Sequence, residues 1–500
     1  MPHTSIAASD DASAPFPNII ILYADDMGLG DPTCYNPDSK IPTPNIDKLA
    51  ADGAMFLDGH SSSGICTPSR YALLTGRHHW RDFHGIVNSF GKSVFRDEQL
   101  TMPEMLQENG YHTACIGKWH LGWDWNAIKT DQGKANKSTR KQGFGPDDFD
   151  WTKRIPDGPL AHGFDHYFGD TVINFPPYAW IEDNQMLQVP DTMKDEKTWP
   201  KIKEGNWECR GGPMVTGWNP YEVLPTLGDR AVKYVESHKD NKNPFFLFFA
   251  YPSPHAPIIP NDEFDGKSQA GPYGDFVYET DHIAGRILDA LDKAGMTNNT
   301  IVIFTADNGP EHYAYARDKR FGHWSSYPLR GLKRHIYEGG HRVPFIIRWP
   351  GVTRAGSVKD GLISQIDLFA TFATMLGYDL PEEAAADSLD LMPYLKGETD
   401  SARTSHVHNT WPGLYAMRDG DWLLINAPSG YRTNKQNRDA AFEATKGYTH
   451  DHGLPVELYN LNDDIGQRNN LADKHPDKVK ALQQLLKKIQ KDGRTRPTKP

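Results

Sequence analysis

Five hundred residues exceed one minimal domain and suit a large domain with a smaller companion. Hydrophobic residues at 38% and aromatics at 11% can build a substantial core, and no low-complexity tract argues for extended disorder. A formal charge of -11 argues against general attraction to nucleic acid or anionic membranes, so an anionic substrate needs a locally basic pocket.

In chain order, the first seventeen residues, with Pro15 and Pro17, have no apolar signal core, so the chain either stays inside the cell or begins after a removed leader. Residues 18–23 read as a buried strand, 45–53 as a helix, and 101–110 as a helix with Thr101 as N-cap and Gly110 as stop. His112 to Gly117 makes the next strand. Residues 124–157 are rich in Lys, Gly and Asp and read as a surface insertion, and 189–217 as a second irregular stretch of the kind that is often functional. The strongly apolar 244–250 is a strand, 275–295 is a helix carrying Ile283, Ile287 and Leu291 on one face, and 301–305 is another strand. Beyond residue 397 come short strands (413–417, 421–426, 457–459) and a terminal helix over 477–491. No stretch reaches the roughly 18 apolar residues of a membrane span. Strands alternating with helices predict an α/β fold, a large mostly parallel mixed sheet sandwiched by helices. The expected domains are 18–396 and a smaller C-terminal 397–500, an antiparallel sheet packed with the terminal helix.

The informative polar residues fall just past the predicted strand ends, where open α/β sheets bind ligands. The first strand runs into Asp25-Asp26, the next into Lys118 and His120, the third into His255, and the fourth into Asp307-Asn308. Singly, Asp25-Asp26 and Asp307-Asn308-Gly309 are ordinary turn sequences. Together they offer three carboxylates and an amide oxygen, a hard set that suits Ca²⁺ or Mg²⁺ rather than zinc. Lys118 and His120 alternate on an extended segment and should face one side. Four cysteines are too few for a disulfide scaffold, and Cys34, Cys115 and Cys209 are expected to be packing residues. Cys66 differs: Cys66-Thr67-Pro68-Ser69-Arg70 continues into Leu73, Thr75, Gly76 and Arg77.

That run resembles the maturation motif of the type I, formylglycine-dependent sulfatases of the alkaline phosphatase superfamily. Asp25-Asp26-Met27-Gly28, residues 117–122, residues 305–309, and the block from Arg330-Gly331 through Lys333 to Arg342-Val343-Pro344 are similar to further sulfatase motifs in the family's order. Residues 162–169 resemble a segment of the arylsulfatase A and N-acetylgalactosamine-6-sulfatase type. The resemblance implies that Cys66 is oxidised to formylglycine by a maturation enzyme. It also implies that Asp25, Asp26, Asp307, Asn308 and matured Cys66 bind one Ca²⁺, with Mg²⁺ as the alternative. Arg70 would hold the formylglycine hydrate, Lys118, His255 and Lys333 would bind the sulfate, and His120 would contact the formylglycine. The catalytic set is then Cys66, Arg70, Lys118, His120, His255 and Lys333. On this reading a hydroxyl of the hydrate attacks sulfur, His255 helped by Lys333 protonates the leaving alcohol, and His120 removes the proton that lets sulfate depart. Pro68, at the start of the following helix, would set Cys66 near its positive N-terminal end.

His84, Arg320, His323 and Trp324, with Trp80, Arg81, Trp123 and Trp125, are expected on rim loops as sugar contacts. The expected substrate is therefore a sulfated carbohydrate, attacked from chain ends. Alternatives are an arylsulfatase of broad specificity, a phosphodiesterase or phosphonate hydrolase, and a calcium-dependent glycan-binding protein without catalysis. The resemblance favours a periplasmic or extracellular location. Arg334 and His335 depart from the small residues the family often carries after the lysine.

Overall fold

In the computed structural model, which describes residues 16–136, 143–195, 202–205, 208–431, 436–448 and 453–498, the chain is built around a ten-stranded sheet. Its strands run edge to edge in the order Ser357–Lys359, Ala54–Phe56, Phe345–Arg348, Thr300–Ala306, Asn18–Ala24, Phe245–Ala250, His112–Gly117, His166–Gly169, Ile181–Glu182 and Gln185–Met186. The four at the centre are parallel, and Phe345–Arg348 pairs antiparallel with Thr300–Ala306. This is the expected α/β sandwich. Along Asn18–Ala24 successive side chains enter opposite cores: Ile19, Ile21 and Tyr23 on one face, Ile20, Leu22 and Ala24 on the other. The first face is covered by helices Cys66–Thr75, Met102–Glu108 and Leu368–Leu376, the second by Pro44–Asp52, Val223–Ser237 and Gly271–Lys293.

Register brings the strand ends level. Tyr23 pairs with Ala250, Ala250 with Gly117, and Ala24 with Ala306. Backbone bonds continue past the ends, from Asp25 N to Ser253 O (3.0 Å), Lys118 N to Ala250 O (2.8 Å) and Asp307 N to Ala24 O (3.0 Å). Gly117 is required at this edge: its φ is +111°, and a Cβ would lie 1.9 Å from Ala250 O.

The smaller sheet has the strands Ser405–Trp411, Leu414–Asp419, Trp422–Ile425 and Glu457–Asn460, all antiparallel neighbours, with helix Pro476–Asp492 packed on it through Leu482, Leu486 and Ile489. Its first strand was missed in the sequence, because Ser405-His406-Val407-His408-Asn409-Thr410-Trp411 alternates mostly polar types and hides a buried polar face. Trp80 packs into this sheet's core on one side and Ile336 and Tyr337 on the other, so two segments from near the Cys66 motif and the Arg330 block are fastened to it.

The 124–157 insertion is not a loose surface excursion. Trp125, Phe144, Phe149 and Trp151 are buried; the first three meet Phe90, with the Phe90 and Phe149 rings stacked at 4.8 Å, and Trp151 packs on Phe149. Residues 137–142 of that insertion, 1–15 of the leading segment, and 196–201 and 206–207 of the second irregular stretch lie outside the described residues. Within that second stretch, Thr192–Lys194 and Gly212–Met214 form a small antiparallel pair. Among the described residues no helix is long and apolar enough to cross a membrane.

Candidate active site

Helix Cys66–Thr75 begins at the cysteine itself, two residues before Pro68, with Ile65 as an extended N-cap and Gly76 as a left-handed C-cap. Every residue of this helix is buried, which is why its apolar pattern is weak. Its first turn points at the carboxyl edge of the sheet. Cys66 Sγ lies 3.7 Å from Asp25 Oδ1. Burial pushes its thiol up to about 12, outweighing Lys118 and Lys333, so unmodified Cys66 is a neutral, weak nucleophile.

Around it the expected ligands converge. Asp25, Asp26, Cys66 and His255 place one donor atom each within 4.8 Å of one another. Asp307 joins them through Oδ1, which accepts from Asp26 N (3.1 Å), and Oδ2, which accepts from Arg70 Nη2 (2.8 Å) and Nε (3.1 Å). Burial and the Asp25 charge push the Asp307 carboxyl up, although Arg70 opposes them. Asn308 donates from Nδ2 to Asp26 Oδ1 (2.7 Å), which leaves its Oδ1 buried and without a partner among the described residues. Asp26 has the strained φ of +66°, a conformation held by these bonds.

The cations complete the constellation. Lys118 Nζ donates to Asp25 Oδ2 at 2.5 Å and Lys333 Nζ to Asp26 Oδ2 at 2.7 Å. Burial works against the Lys333 charge, but Asp26 and its other anionic neighbours hold it well above the usual lysine range. Arg70 also donates to Lys118 O at 3.0 Å, locking helix and strand end together. Both lysines thus grip the carboxylates expected to hold a metal.

The histidines are poised by the backbone. His255 Nδ1 donates to Ala256 O at 2.6 Å, so Nε2 faces Asp26 Oδ2 (3.7 Å) and Glu208 Oε2 (3.9 Å). His120 Nε2 donates to Val87 O at 2.9 Å, so Nδ1 keeps its lone pair, buried and without a partner among the described residues. Burial first, then the Lys118 charge, pushes His120 well below the usual histidine range. His120 reaches this position by a left-handed turn (φ +54°), not by the alternation of an extended segment, and Thr67 Oγ1 holds its carbonyl at 2.8 Å.

The rim residues are a different matter. His323 is buried and donates or accepts at both nitrogens, Nε2 with Asp31 (2.8 Å) and Nδ1 with Lys40 N (3.4 Å), so it is a structural tie and no sugar contact. Trp324 bonds Leu329 O and stacks on Tyr315, and packs near Phe442. Arg320 is exposed over Phe321, and His84 is exposed beside His79. Trp123 and Trp125 are core residues, and Trp80 stacks with Arg81 at the base of the smaller sheet. Tryptophan and histidine beside a motif signal packing as readily as recognition.

Other residues were missed. Arg210 lies over the Phe175 ring at 3.6 Å and reaches Asn88 and Ser89, beside a cleft lined by Val87, Phe90, His120 and Phe175. Glu208 sits behind His255 and accepts from Tyr313 Oη at 2.9 Å. Glu311 pairs with Arg334, which gives the unusual residue after Lys333 a local purpose. Asp170, both of whose oxygens lack partners among the described residues, is pushed up to about 7 by burial. Of these, only Glu311 had a signal, its place just after the Asn308 turn.

The sequence profile of the family described as Sulfatase matches residues 17–378. The chain is 33% identical to an N-acetylgalactosamine-6-O-sulfatase of Bacteroides thetaiotaomicron, across 95% of this chain and 93% of that protein. It is 30% identical to the human N-acetylgalactosamine-6-sulfatase, across 95% of this chain and 85% of that one. A solved structure from work on the metabolism of multiple glycosaminoglycans by Bacteroides thetaiotaomicron superposes with a TM-score of 0.79 at 30% identity, covering 96% of this chain and all of the other. A Pseudoalteromonas sulfatase structure, 24% identical over 97% of this chain and 92% of its own, shares the fold with a TM-score of 0.72. The cysteine at a helix start, the carboxylates gathered over it and these likenesses agree, and the chain belongs to the sulfatase family, as a sulfuric ester hydrolase.

Proposed function

We propose that this sulfatase removes sulfate from sulfated carbohydrates, acting at chain ends on glycosaminoglycan or polysaccharide fragments. The observation that carries the reading is the convergence of Asp25, Asp26, Asp307, Lys118, Lys333 and His255 on Cys66, with the sugar preference supported by the relatives' names.

The donor set fits a hard divalent cation. It consists of carboxylates and an amide, and the buried Asn308 Oδ1 needs a partner that its neighbours do not supply. Asp25, Asp26, Asp307, Asn308 and matured Cys66 would hold Ca²⁺, with Mg²⁺ as the weaker candidate. When present, the ion supplies positive charge to the sulfate oxygens and the oxidised Cys66 supplies a hydroxyl nucleophile at neutral pH. The chain's own groups do the rest. Lys118 and Lys333 bring two further positive charges to an anion seated over Cys66. Arg70 anchors Asp307, which would accept the proton of the attacking hydroxyl. His255 gives a proton from Nε2 to the departing alcohol. Burial, then Lys333, pushes it down to about 3, so the substrate's own negative charge is what restores that proton. His120 Nδ1 accepts a proton released beside Cys66.

The cleft at Arg210, Phe175 and His120 is where a sugar ring would enter. His84 and Arg320, both exposed, stay as sugar contacts at the margin. A periplasmic or extracellular location, a formylglycine-generating enzyme as maturation partner, and a catalytic unit over 18–396 joined to a smaller unit over 397–500 are further parts of the proposal, supported by family membership. A panel of defined sulfated mono- and oligosaccharides tests it. Release of sulfate from one terminal position, lost on chelation and restored by Ca²⁺, is expected. Hydrolysis confined to phosphate diesters or aryl sulfates would refute the carbohydrate reading.

A further inference from the structure

Two acidic side chains beside Lys333 and His255 have no part in the reaction above, Glu311 and Glu208. Glu311 is engaged: it pairs with Arg334 and accepts from His312 N at 3.3 Å. Glu208 has an oxygen to spare. Its Oε1 accepts from Tyr313 Oη at 2.9 Å, while Oε2 has no hydrogen-bond partner among the described residues and stands 3.9 Å from His255 Nε2. That distance is too long for a hydrogen bond, so neither atom satisfies the other. Both side chains are nearly buried, His255 7% and Glu208 9% exposed, so a donor that reaches Oε2 meets a carboxylate with little competing water.

The backbone holds Glu208 in this place. Ile258 N donates to Glu204 O at 2.9 Å and ties the segment to the loop that carries His255. Gly205, with φ +78°, lies so close to that loop that a Cβ would fall 2.5 Å from Ala256 Cβ. Glu208 N then donates to Gly205 O (3.1 Å), and Asn174 Nδ2 donates to Glu208 O (3.3 Å). Two residues further, Arg210 N donates to Asn174 O (3.0 Å) and its side chain covers Phe175 at the cleft. One segment thus runs from the His255 loop to the cleft where a sugar ring would enter.

With sulfate seated over Cys66, the ester oxygen of the leaving sugar is the atom that meets His255 Nε2. A hydroxyl neighbouring the ester on the same sugar lies close to that oxygen. A carboxylate oxygen 3.9 Å from Nε2 is placed to accept from such a hydroxyl, at about 2.5–2.7 Å.

We propose that Glu208 is a specificity-determining residue that accepts a hydrogen bond from a free hydroxyl beside the sulfate ester of the leaving sugar. The proposal rests on the carbohydrate reading above and narrows it. The favoured substrate carries an unmodified hydroxyl at the neighbouring position, since a second sulfate there would set an anion against the carboxylate.

The test uses the matured full chain, the sugar sulfate that it cleaves best in the panel above, and monodeoxy analogues each lacking one hydroxyl beside the ester. Wild type should lose about 10–10²-fold in kcat/KM on one analogue. Glu208→Ala should lose a similar factor on the parent sugar and cleave that analogue as wild type does. Glu208→Gln, whose amide oxygen still accepts, should fall between wild type and Glu208→Ala on the parent. Equal losses for Glu208→Ala on the parent and on every analogue would make Glu208 a support for His255 and overturn the proposal. Should Glu208→Ala fail to fold, wild-type protein indifferent to every deoxy analogue would still overturn it. Cleavage of 4-nitrophenyl sulfate with no sugar sulfate cleaved is the separate result that refutes the carbohydrate reading, and this proposal with it.

Discussion

His255 and His120 have opposite nitrogens tied to backbone carbonyls, Nδ1 to Ala256 O and Nε2 to Val87 O, so the free atom of each is defined before substrate arrives. That division predicts how leaving groups sort the variants. An alkoxide leaving from a sugar needs a proton, whereas a nitrophenolate does not. His255→Ala should lower kcat/KM on a sugar sulfate by about 10²–10⁴-fold and on 4-nitrophenyl sulfate far less. Equal losses on both substrates, measured side by side, would assign His255 to sulfate binding alone. Lys333→Ala should instead reduce both substrates, by about 10²–10³-fold, because its charge acts on the sulfate whatever the leaving group. A Lys333→Ala loss confined to the sugar sulfate would contradict that role.

At the scale of elements, the edge of the sheet is what makes the site. Gly117 lets His112–Gly117 close on Phe245–Ala250, and the next residue, Lys118, is delivered to Asp25 by that contact. Gly117→Ala combines a positive φ with a Cβ against Ala250 O, so it should destabilise the fold by about 3 kcal/mol or more and lower activity as Lys118 shifts. Thermal unfolding and sulfate release measured on one preparation check both parts, and an unchanged Tm would contradict the packing. The same edge explains what was legible in the sequence. Asp25, Asp26, Lys118, His255, Asp307 and Asn308 follow apolar strands directly, so strand ends and motif spacing located them together. His323 and Trp324 lie near a motif too, but their partners, Asp31 and Tyr315, are supplied by the tertiary fold. Arg210 and Glu208 sit in an irregular segment whose sequence has no period, and only packing against Phe175 and His255 reveals them. The strand Ser405–Trp411 escaped for a related reason, since its buried residues include histidines and an asparagine that answer to one another and not to an apolar core.

For the whole molecule, buried neutral histidines set the response to acid. Burial pushes His78 from 6.5 down to about 3, against the pull of Asp387. The unfolded chain therefore takes up this proton first, and the contribution of His78 is fully present above pH 6.5 and is lost as pH falls from there toward 3. Its loss by pH 5 is about 2 kcal/mol. His78→Gln should flatten the fall in unfolding free energy over that window by roughly one proton's slope, read from denaturant titrations at several pH values. An unchanged slope would mean that His78 already carries a proton in the fold.

In the proposed reaction catalysis belongs to an oxidised Cys66, since the thiol in this pocket is pushed up to about 12 by burial and stays protonated. Peptide mass spectrometry gives the fraction of Cys66 converted to the aldehyde in preparations made with graded amounts of maturation enzyme. Sulfate-ester turnover measured on the same preparations should rise in proportion to that fraction and extrapolate to zero at zero conversion. Full turnover from protein carrying only the unmodified cysteine would contradict the account.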